Sequence, residues 1–127
     1  MEPQVFFEDL KGKVLTSISG KVGYDRITFV TDTGTKFELY HDRDCCESVE
    51  VEDIAGDLHD LIAAPILLAE EVTSNTNPDG TAIDLSDQYS FTWTFYKLST
   101  IKGSVTIRWY GQSNGYYSES VNFREID

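Results

Sequence analysis

The chain has little positive charge and no long apolar run. Lys and Arg together number 10 of 127 residues, against 22 Asp and Glu, so the formal net charge is −12. A strongly negative body repels phosphates, and we therefore expect no direct binding to nucleic acid. No apolar stretch approaches the ~18 residues of a membrane span, and residues 1–10 lack the basic and apolar regions of a secretory signal. We expect a cytoplasmic protein with no membrane partner.

The chain also has few cysteines. Cys45 and Cys46 are its only two, and they are adjacent, which excludes a disulfide framework and does not match the spacing of two to four residues that structural zinc sites use. A bridge between neighbours would be strained, because consecutive Cα atoms lie ~3.8 Å apart. The length suits one domain of residues 1–127, large enough to bury its own core.

The acidic residues concentrate in the middle of the sequence. Residues 38–71 contain 11 acidic residues and one basic residue, a net −10, and the remaining 93 residues carry a net −2. The pattern predicts one acidic surface on a nearly neutral scaffold. It is typical of a solvated face and also of a docking surface for a basic partner.

Alternating apolar and polar residues predict a mainly β fold. Residues 26–31 and 36–41 form two predicted strands joined by a short connection with Gly34. Residues 48–53 alternate as a half-buried strand, and residues 57–63 fit a short helix that ends before Pro65. Residues 66–72 begin with an apolar run, which predicts a central strand covered on both faces.

The last third of the sequence predicts an antiparallel meander of three strands. Its apolar alternation predicts a buried aromatic face on Tyr89, Phe91, Trp93, Phe95, Val105, Ile107, Trp109, Val121 and Phe123. Tyr96, Arg108 and Tyr110 fall on the polar face. Before it, residues 74–88 are rich in Asn, Ser, Thr and Asp, which predicts a surface loop insertion. The predicted class is α+β, mainly β, with about seven or eight strands and one short helix.

Residues 41–47, with the sequence HDRDCCE, are the densest polar cluster. Three interpretations stay open: a metal site, thiol chemistry, or a tight turn in which one cysteine packs inward. The acids raise thiol pKa values, which disfavours thiol chemistry. In the turn, His41 is in phase with Phe37 and Leu39 and lies hydrogen-bonded at the edge of the core. We assign no metal; the weak candidate ligands are His41, Asp44, Cys45, Cys46 and Glu47.

Residues 108–118 form a second cluster. Tyrosines beside Asn and Ser at a hairpin tip are typical of recognition loops, because tyrosine supplies contact area at low entropic cost. Arg108 can hold a carboxylate or a phosphate with two hydrogen bonds. A plain hairpin whose tyrosines cap the sheet edge explains the same pattern.

The motifs HDRDCCE at residues 41–47 and GQSNGYYS at residues 111–118 resemble those of a family of small uncharacterised bacteriophage and prophage proteins. The resemblance covers most of the chain outside residues 74–88. It implies a phage accessory protein in the cytoplasm of the bacterial host, and by analogy an inhibitor of host machinery or defence.

We therefore predict a non-enzymatic binding protein without a cofactor, which modulates a host protein. Alternatives are a small-ligand binder for a nucleotide signal and an acidic mimic of DNA. A metal-dependent hydrolase that uses the acids of residues 44–47 is a further alternative. No serine lies in the strand-turn-helix elbow of a nucleophile, and no glycine-rich phosphate loop is present. The candidate contact residues are Glu50, Glu52, Asp57, Asp60, Arg108, Tyr110, Asn114, Tyr116 and Tyr117.

Overall fold

The structure is a computed structural model that describes residues 4–43, 46–75, 90–114 and 118–126. Two short 3₁₀ helices, Phe7–Leu10 and Leu58–Leu61, accompany eight strands. The strands are β1 (Leu15–Ser19), β2 (Arg26–Thr31), β3 (Lys36–Tyr40), β4 (Ser48–Ala55), β5 (Leu68–Ser74), β6 (Ser90–Thr100), β7 (Gly103–Ser113) and β8 (Asn122–Ile126). The mainly β prediction is confirmed.

The strands form two antiparallel sheets of four. Sheet 1 has the order β1-β2-β3-β8, and sheet 2 has the order β4-β7-β6-β5. The predicted β2–β3 hairpin is present, and Gly34 adopts a φ of +88° in its turn. Positive φ is accessible to glycine at little cost, so the short connection predicted this hairpin correctly.

Both sheets bury their apolar faces in one common core. Each fully buried large side chain contributes about 1.5–3 kcal/mol relative to exposure. The core includes residues of both sheets and both 3₁₀ helices, namely Phe7, Leu10, Leu15, Ile27, Phe29, Phe37, Leu39, Val49, Val51, Leu61, Ile66, Ala69, Tyr96, Leu98, Val105, Ile107 and Trp109.

The third strand of the predicted C-terminal meander does not pair with β7. β8 pairs with β3 in the other sheet, with Leu39 opposite Phe123. Phe123 stacks on Phe37 at 5.4 Å between ring centroids, and its ring edge meets Phe7 at 5.6 Å. Aromatic packing in sheet 1 therefore takes β8 away from the β6–β7 hairpin.

The predicted buried face of β6 was also wrong. Tyr96 lies opposite Ile107 and Leu98 opposite Val105, so these even-numbered residues share the core face of β7. Trp93 lies opposite Tyr110 on the other face of the sheet, although it is buried there as predicted, with 1% of its surface exposed. Directly opposed residues share one face, and this register pairs odd numbers with even ones, which the separate alternation of each strand does not reveal.

Two predictions for residues 57–72 need correction. The predicted helix is only the 3₁₀ helix Leu58–Leu61, and Ala63 follows it with a φ of +65°. The predicted central strand is an edge strand, β5, that begins at Leu68. Ile66 and Ala69 face the core, whereas the side chains of Leu67 and Leu68 are exposed. Most of the predicted loop at residues 74–88 lies outside the described residues, and Ser74 itself ends β5.

Candidate functional site

The two sequence clusters meet at one end of the molecule. β4 begins at Ser48, which lies opposite Gln112 near the end of β7. His41 Nδ1 donates a hydrogen bond to the carbonyl oxygen of Ser120 at 2.7 Å. His41 and Ser48 therefore lie beside Ser120 and Gln112, although about 70 residues separate the two parts of the chain in sequence.

His41 is held in place through both of its ring nitrogens. Nε2 lies 2.7 Å from Oε2 of Glu47, and both side chains are almost fully buried, at 4% and 0% exposure. Because a carbonyl oxygen only accepts, Nδ1 carries a proton. Nε2 then either donates to the Glu47 carboxylate or accepts from its protonated form, so the pair holds one proton between Nε2 and the carboxyl group. The prediction of a hydrogen-bonded histidine at the edge of the core is confirmed.

Glu119 ties the segment 118–120 to sheet 2. Its carboxylate accepts hydrogen bonds from Thr92 at 2.8 Å and from Ser113 at 2.6 Å. The segment crosses close to Gly111, where a Cβ atom would lie 2.8 Å from the carbonyl oxygen of Glu119. This close approach positions Ser120 to receive His41.

A cavity of about 410 Å³ opens between the two clusters, lined by Cys46, Gln112, Ser113 and Asn114. Its volume is within the range of small-molecule sites. Cys46 is exposed, so it is not the inward-packing cysteine of the turn interpretation, and Cys45 lies outside the described residues. Asp44, Gly115, Tyr116 and Tyr117 also lie outside the described residues.

An acidic cavity of about 380 Å³ lies beside His41. Its carboxylates come from Asp25, Glu47 and Glu50, and the Tyr24 ring and Arg43 complete the polar lining. Asp25 and Glu50 are exposed, whereas Glu47 is buried against His41. Arg43 also lines the cavity, and Nζ of Lys21 lies 5.3 Å from the centroid of the Tyr24 ring. The carboxylates accessible to a cationic group are therefore those of Asp25 and Glu50.

Tyr24 and Asp25 are not among the candidate contact residues that the sequence predicted; they lie in the glycine-containing turn before β2. Two backbone hydrogen bonds dock this turn on β4: Gly23 N–H donates to Val51 O, and Val51 N–H donates to Tyr24 O, both at 2.8 Å. Backbone contacts of this kind leave no trace in the side-chain pattern. In the sequence, only the Gly-Tyr-Asp composition of this segment indicates a turn at the surface.

Arg108 and Tyr110 lie on the outer face of sheet 2. Arg108 donates to Glu52 at 2.5 Å, and its guanidinium lies 5.1 Å from the centroid of the Trp93 ring. The Tyr110 ring lies 4.6 Å from that of Trp93 and 6.3 Å from that of Phe91. Partial burial and the negative charge of Glu119 raise the pKa of Tyr110. The hydrogen bond to Glu52 compensates the charge of Arg108 within the protein.

Asp57 and Asp60 do not lie in either cavity. The Asp57 side chain accepts from the backbone N–H of His59 at 2.9 Å and caps the second 3₁₀ helix. The Asp60 carbonyl accepts from the Thr100 hydroxyl, and its carboxylate lies over Gly103. Of the four predicted acidic contacts, only Glu50 lines the acidic cavity.

Within the described ranges of the chain, no three His, Cys, Asp or Glu residues are arranged to hold a metal ion. In that same part, no helix is long and apolar enough to cross a membrane.

The fold and the site together define a small antiparallel β domain with a cleft between two of its sequence clusters. The chain belongs to the family described as "Domain of unknown function (DUF7448)", whose model matches residues 8–123. No curated protein and no solved structure matches the chain.

Proposed function

We propose that the chain is a non-enzymatic binding module, a phage-type accessory protein that modulates or inhibits a protein or defence system of the bacterial host. It acts in the cytoplasm of that host. The supporting observation is the acidic cavity, whose lining includes the exposed carboxylates of Asp25 and Glu50 beside Tyr24. A lysine or arginine side chain of a partner protein fits this combination of charge and aromatic surface.

The distribution of arginines supports an attraction for basic partners. Arg108 contacts Glu52, and both Arg26 and Arg124 contact Glu38. Glu52 compensates Arg108, and Arg26 and Arg124 share the single charge of Glu38. Exposed carboxylates such as Glu50 and Asp25 contribute to the net charge of −12. Such a field steers a basic surface toward the protein and accelerates association at low salt.

The environment of His41 supports binding rather than acid–base catalysis. One ring nitrogen donates to Ser120 O and the other is engaged by Glu47. A general base needs a nitrogen within hydrogen-bond reach of the substrate proton. Here both nitrogens already have protein partners, one within the cluster of residues 41–47 and one at Ser120.

The test replaces the exposed carboxylates of the acidic cavity. The tagged wild type and the double variant Asp25→Lys, Glu50→Lys are each expressed in bacteria and purified through the tag. We expect the wild type to co-purify a partner protein in stoichiometric amount and the double variant to lose it. Asp32→Lys, on the exposed β2–β3 turn, is the matched control and should retain it. Glu52 and Asp57 are left unchanged, because they pair with Arg108 and cap a 3₁₀ helix. Retention of the partner by the folded double variant would contradict the proposal.

A second candidate function, binding of a small nucleotide-type ligand, is favoured by the cavity of about 410 Å³ shared by Cys46 and Asn114. A thermal-shift screen with nucleotides and cyclic nucleotides tests it. A ligand at 100 times its dissociation constant adds about 2.7 kcal/mol of stability, and Asn114→Ala should reduce that shift. The absence of any shift across the screen would reject this candidate.

A further inference from the structure

We propose that β5 is the docking edge for an extended, basic segment of the partner protein, which adds to sheet 2 as a fifth strand. This inference rests on the proposed function, because it specifies how a basic partner is held. The partner is recognised by main-chain hydrogen bonds and by lysine or arginine side chains opposite Glu70 and Glu71.

The two edges of sheet 2 differ in how they are covered. The β4 edge is covered at Val51 by the turn at residues 23–24, which exchanges two backbone hydrogen bonds with that residue. β5 is the opposite edge. Within the described residues, no backbone hydrogen bond from outside sheet 2 reaches residues 70–73. An uncovered edge is a template for another strand.

The open stretch begins beyond the start of β5. The first 3₁₀ helix packs beside β5, and the segment just before the strand is already paired, with Gly12 N–H donating to Ile66 O at 2.7 Å. Glu70, Glu71 and Thr73 are exposed, and Val72 keeps 40% of its surface exposed. Natural proteins often protect such an edge with charged side chains. Here the charges are Glu70 and Glu71, which repel another acidic edge and attract a basic one.

A cavity of about 500 Å³ runs beside this edge, between β5, the N-terminal segment and the start of β8. Glu8, Glu70 and Glu71 line it, and no Lys or Arg of the described chain does. Glu71 points to the core side, where it accepts from the Tyr96 hydroxyl at 2.7 Å. Lys97 lies opposite Glu70 on β6 and offsets part of its charge. The groove is therefore acidic mainly on its inner side.

The side chains of β5 define a pattern for the incoming strand. Opposed residues share one face, so an antiparallel segment needs an apolar residue opposite Val72 and two consecutive basic residues opposite Glu71 and Glu70. A second copy of this chain fits less well, because it would bring a further net charge of −12 and a second Glu70–Glu71 pair to the same edge.

The experiment measures the binding of the fluorescent peptide Thr-Thr-Val-Lys-Lys-Val to the full chain by anisotropy. A peptide with both lysines replaced by glutamate and a scrambled peptide with separated lysines are the controls. We expect at least tenfold tighter binding of the first peptide than of either control, with affinity that falls as salt is added. Saturation of the protein with the lysine peptide should slow amide hydrogen exchange of β5 about tenfold, because the β5 amides become hydrogen-bonded to the peptide.

The matched variants are Glu70→Gln with Glu71→Gln, and Asp32→Asn as the control. Glutamine at position 71 still offers an oxygen to Tyr96, so the double variant keeps that acceptor. We expect the double variant to bind the peptide at least tenfold more weakly and the control variant to bind it normally.

The proposal would be overturned if the lysine peptide did not bind, or if the scrambled peptide bound equally well. It would also be overturned by binding without protection of the β5 amides, or by an unchanged affinity in the double variant. A dimer in sedimentation equilibrium that protects these amides without peptide would assign the edge to a second copy and would also overturn it. Partner capture that survives Glu70→Gln, Glu71→Gln but fails in Asp25→Lys, Glu50→Lys would retain the proposed function and reject this edge.

Discussion

Glu38 is a buried carboxylate that depends on two arginines. Only 3% of its side chain is exposed, and Arg124 donates to it through Nε at 2.8 Å and Nη2 at 2.5 Å. This hydrogen bonding raises the pKa of Arg124. Arg26 is a weaker partner at 3.4 Å. The Glu38 charge is therefore stabilised chiefly from β8.

We expect Arg124→Ala to lower the free energy of unfolding by about 2 kcal/mol, because a buried carboxylate loses its main partner. Arg26→Ala should cost less than about 1 kcal/mol, since that side chain is 59% exposed and its contact is long. Urea denaturation of both variants measures the difference. Equal losses would show that Arg124 does not dominate the network.

Tyr96 combines a buried ring with a hydroxyl that donates to Glu71. Burial first, and then the hydrogen bond and charge of Glu71, raise its pKa above the ordinary value. The folded protein thus retains this proton at a pH where the unfolded chain has lost it. Because the native state then binds more protons, stability falls as pH rises above about 10.

We expect Tyr96→Phe to remove part of this alkaline loss of stability. At neutral pH the variant should be about 1 kcal/mol less stable, because the hydrogen bond to Glu71 is gone. The gap between the two proteins should narrow as pH rises above 10. Chemical denaturation at a series of pH values measures it, and a constant gap would contradict the raised pKa.

Residue-level prediction from the sequence succeeded where a single strand carries the information. His41 is in phase with Phe37 and Leu39, so its position at the edge of the core followed from alternation alone. The burial of Glu38 did not, because it shares the outer face with Lys36 and Tyr40. Its burial requires Arg124, which is 86 residues away in sequence.

At the scale of elements, Gly111 is the point where the 118–120 segment touches β7. A Cβ there would lie 2.8 Å from the Glu119 carbonyl oxygen and 3.2 Å from Val49. We expect Gly111→Ala to cost about 2 kcal/mol, because backbone must move and the bonds of Glu119 weaken. Thermal unfolding monitored by circular dichroism measures this loss.

Gly103→Ala is the matched control for Gly111→Ala. The atom nearest to its Cβ is Oδ2 of Asp60, at 2.7 Å, and a side-chain end can rotate away. This variant should therefore lose less than about 1 kcal/mol. A loss as large as that of Gly111→Ala would mean that contact with backbone is not the cause.

Most elements were predictable, and their partners were not. The β2–β3 and β6–β7 hairpins follow from local alternation and turn chemistry. The place of β8 beside β3 depends on Phe123 packing against Phe37, a contact between distant parts of the chain. The same limitation hid the meeting of His41 with Ser120, and with it the candidate site.

For the whole molecule, the net charge of −12 opposes the compact state by self-repulsion. We expect the melting temperature to rise with NaCl between about 0.01 and 0.5 M, because the Debye length shrinks from about 30 Å to below 10 Å. The variant Asp25→Lys, Glu50→Lys changes the charge from −12 to −8, so its melting temperature should depend less on salt. An identical dependence would indicate that the acidic cavity contributes little to the repulsion.

The pairing of β8 with β3 has a consequence for how the protein folds during translation. Sheet 1 cannot close until residue 126 has left the ribosome, although β3 ends at Tyr40. During that interval Phe37 lacks the ring of Phe123, and the later edge partner of β3 is still missing. Folding of sheet 1 is therefore completed only after β8 has emerged, and a nascent chain stalled before β8 leaves β3 as an open, aggregation-prone strand.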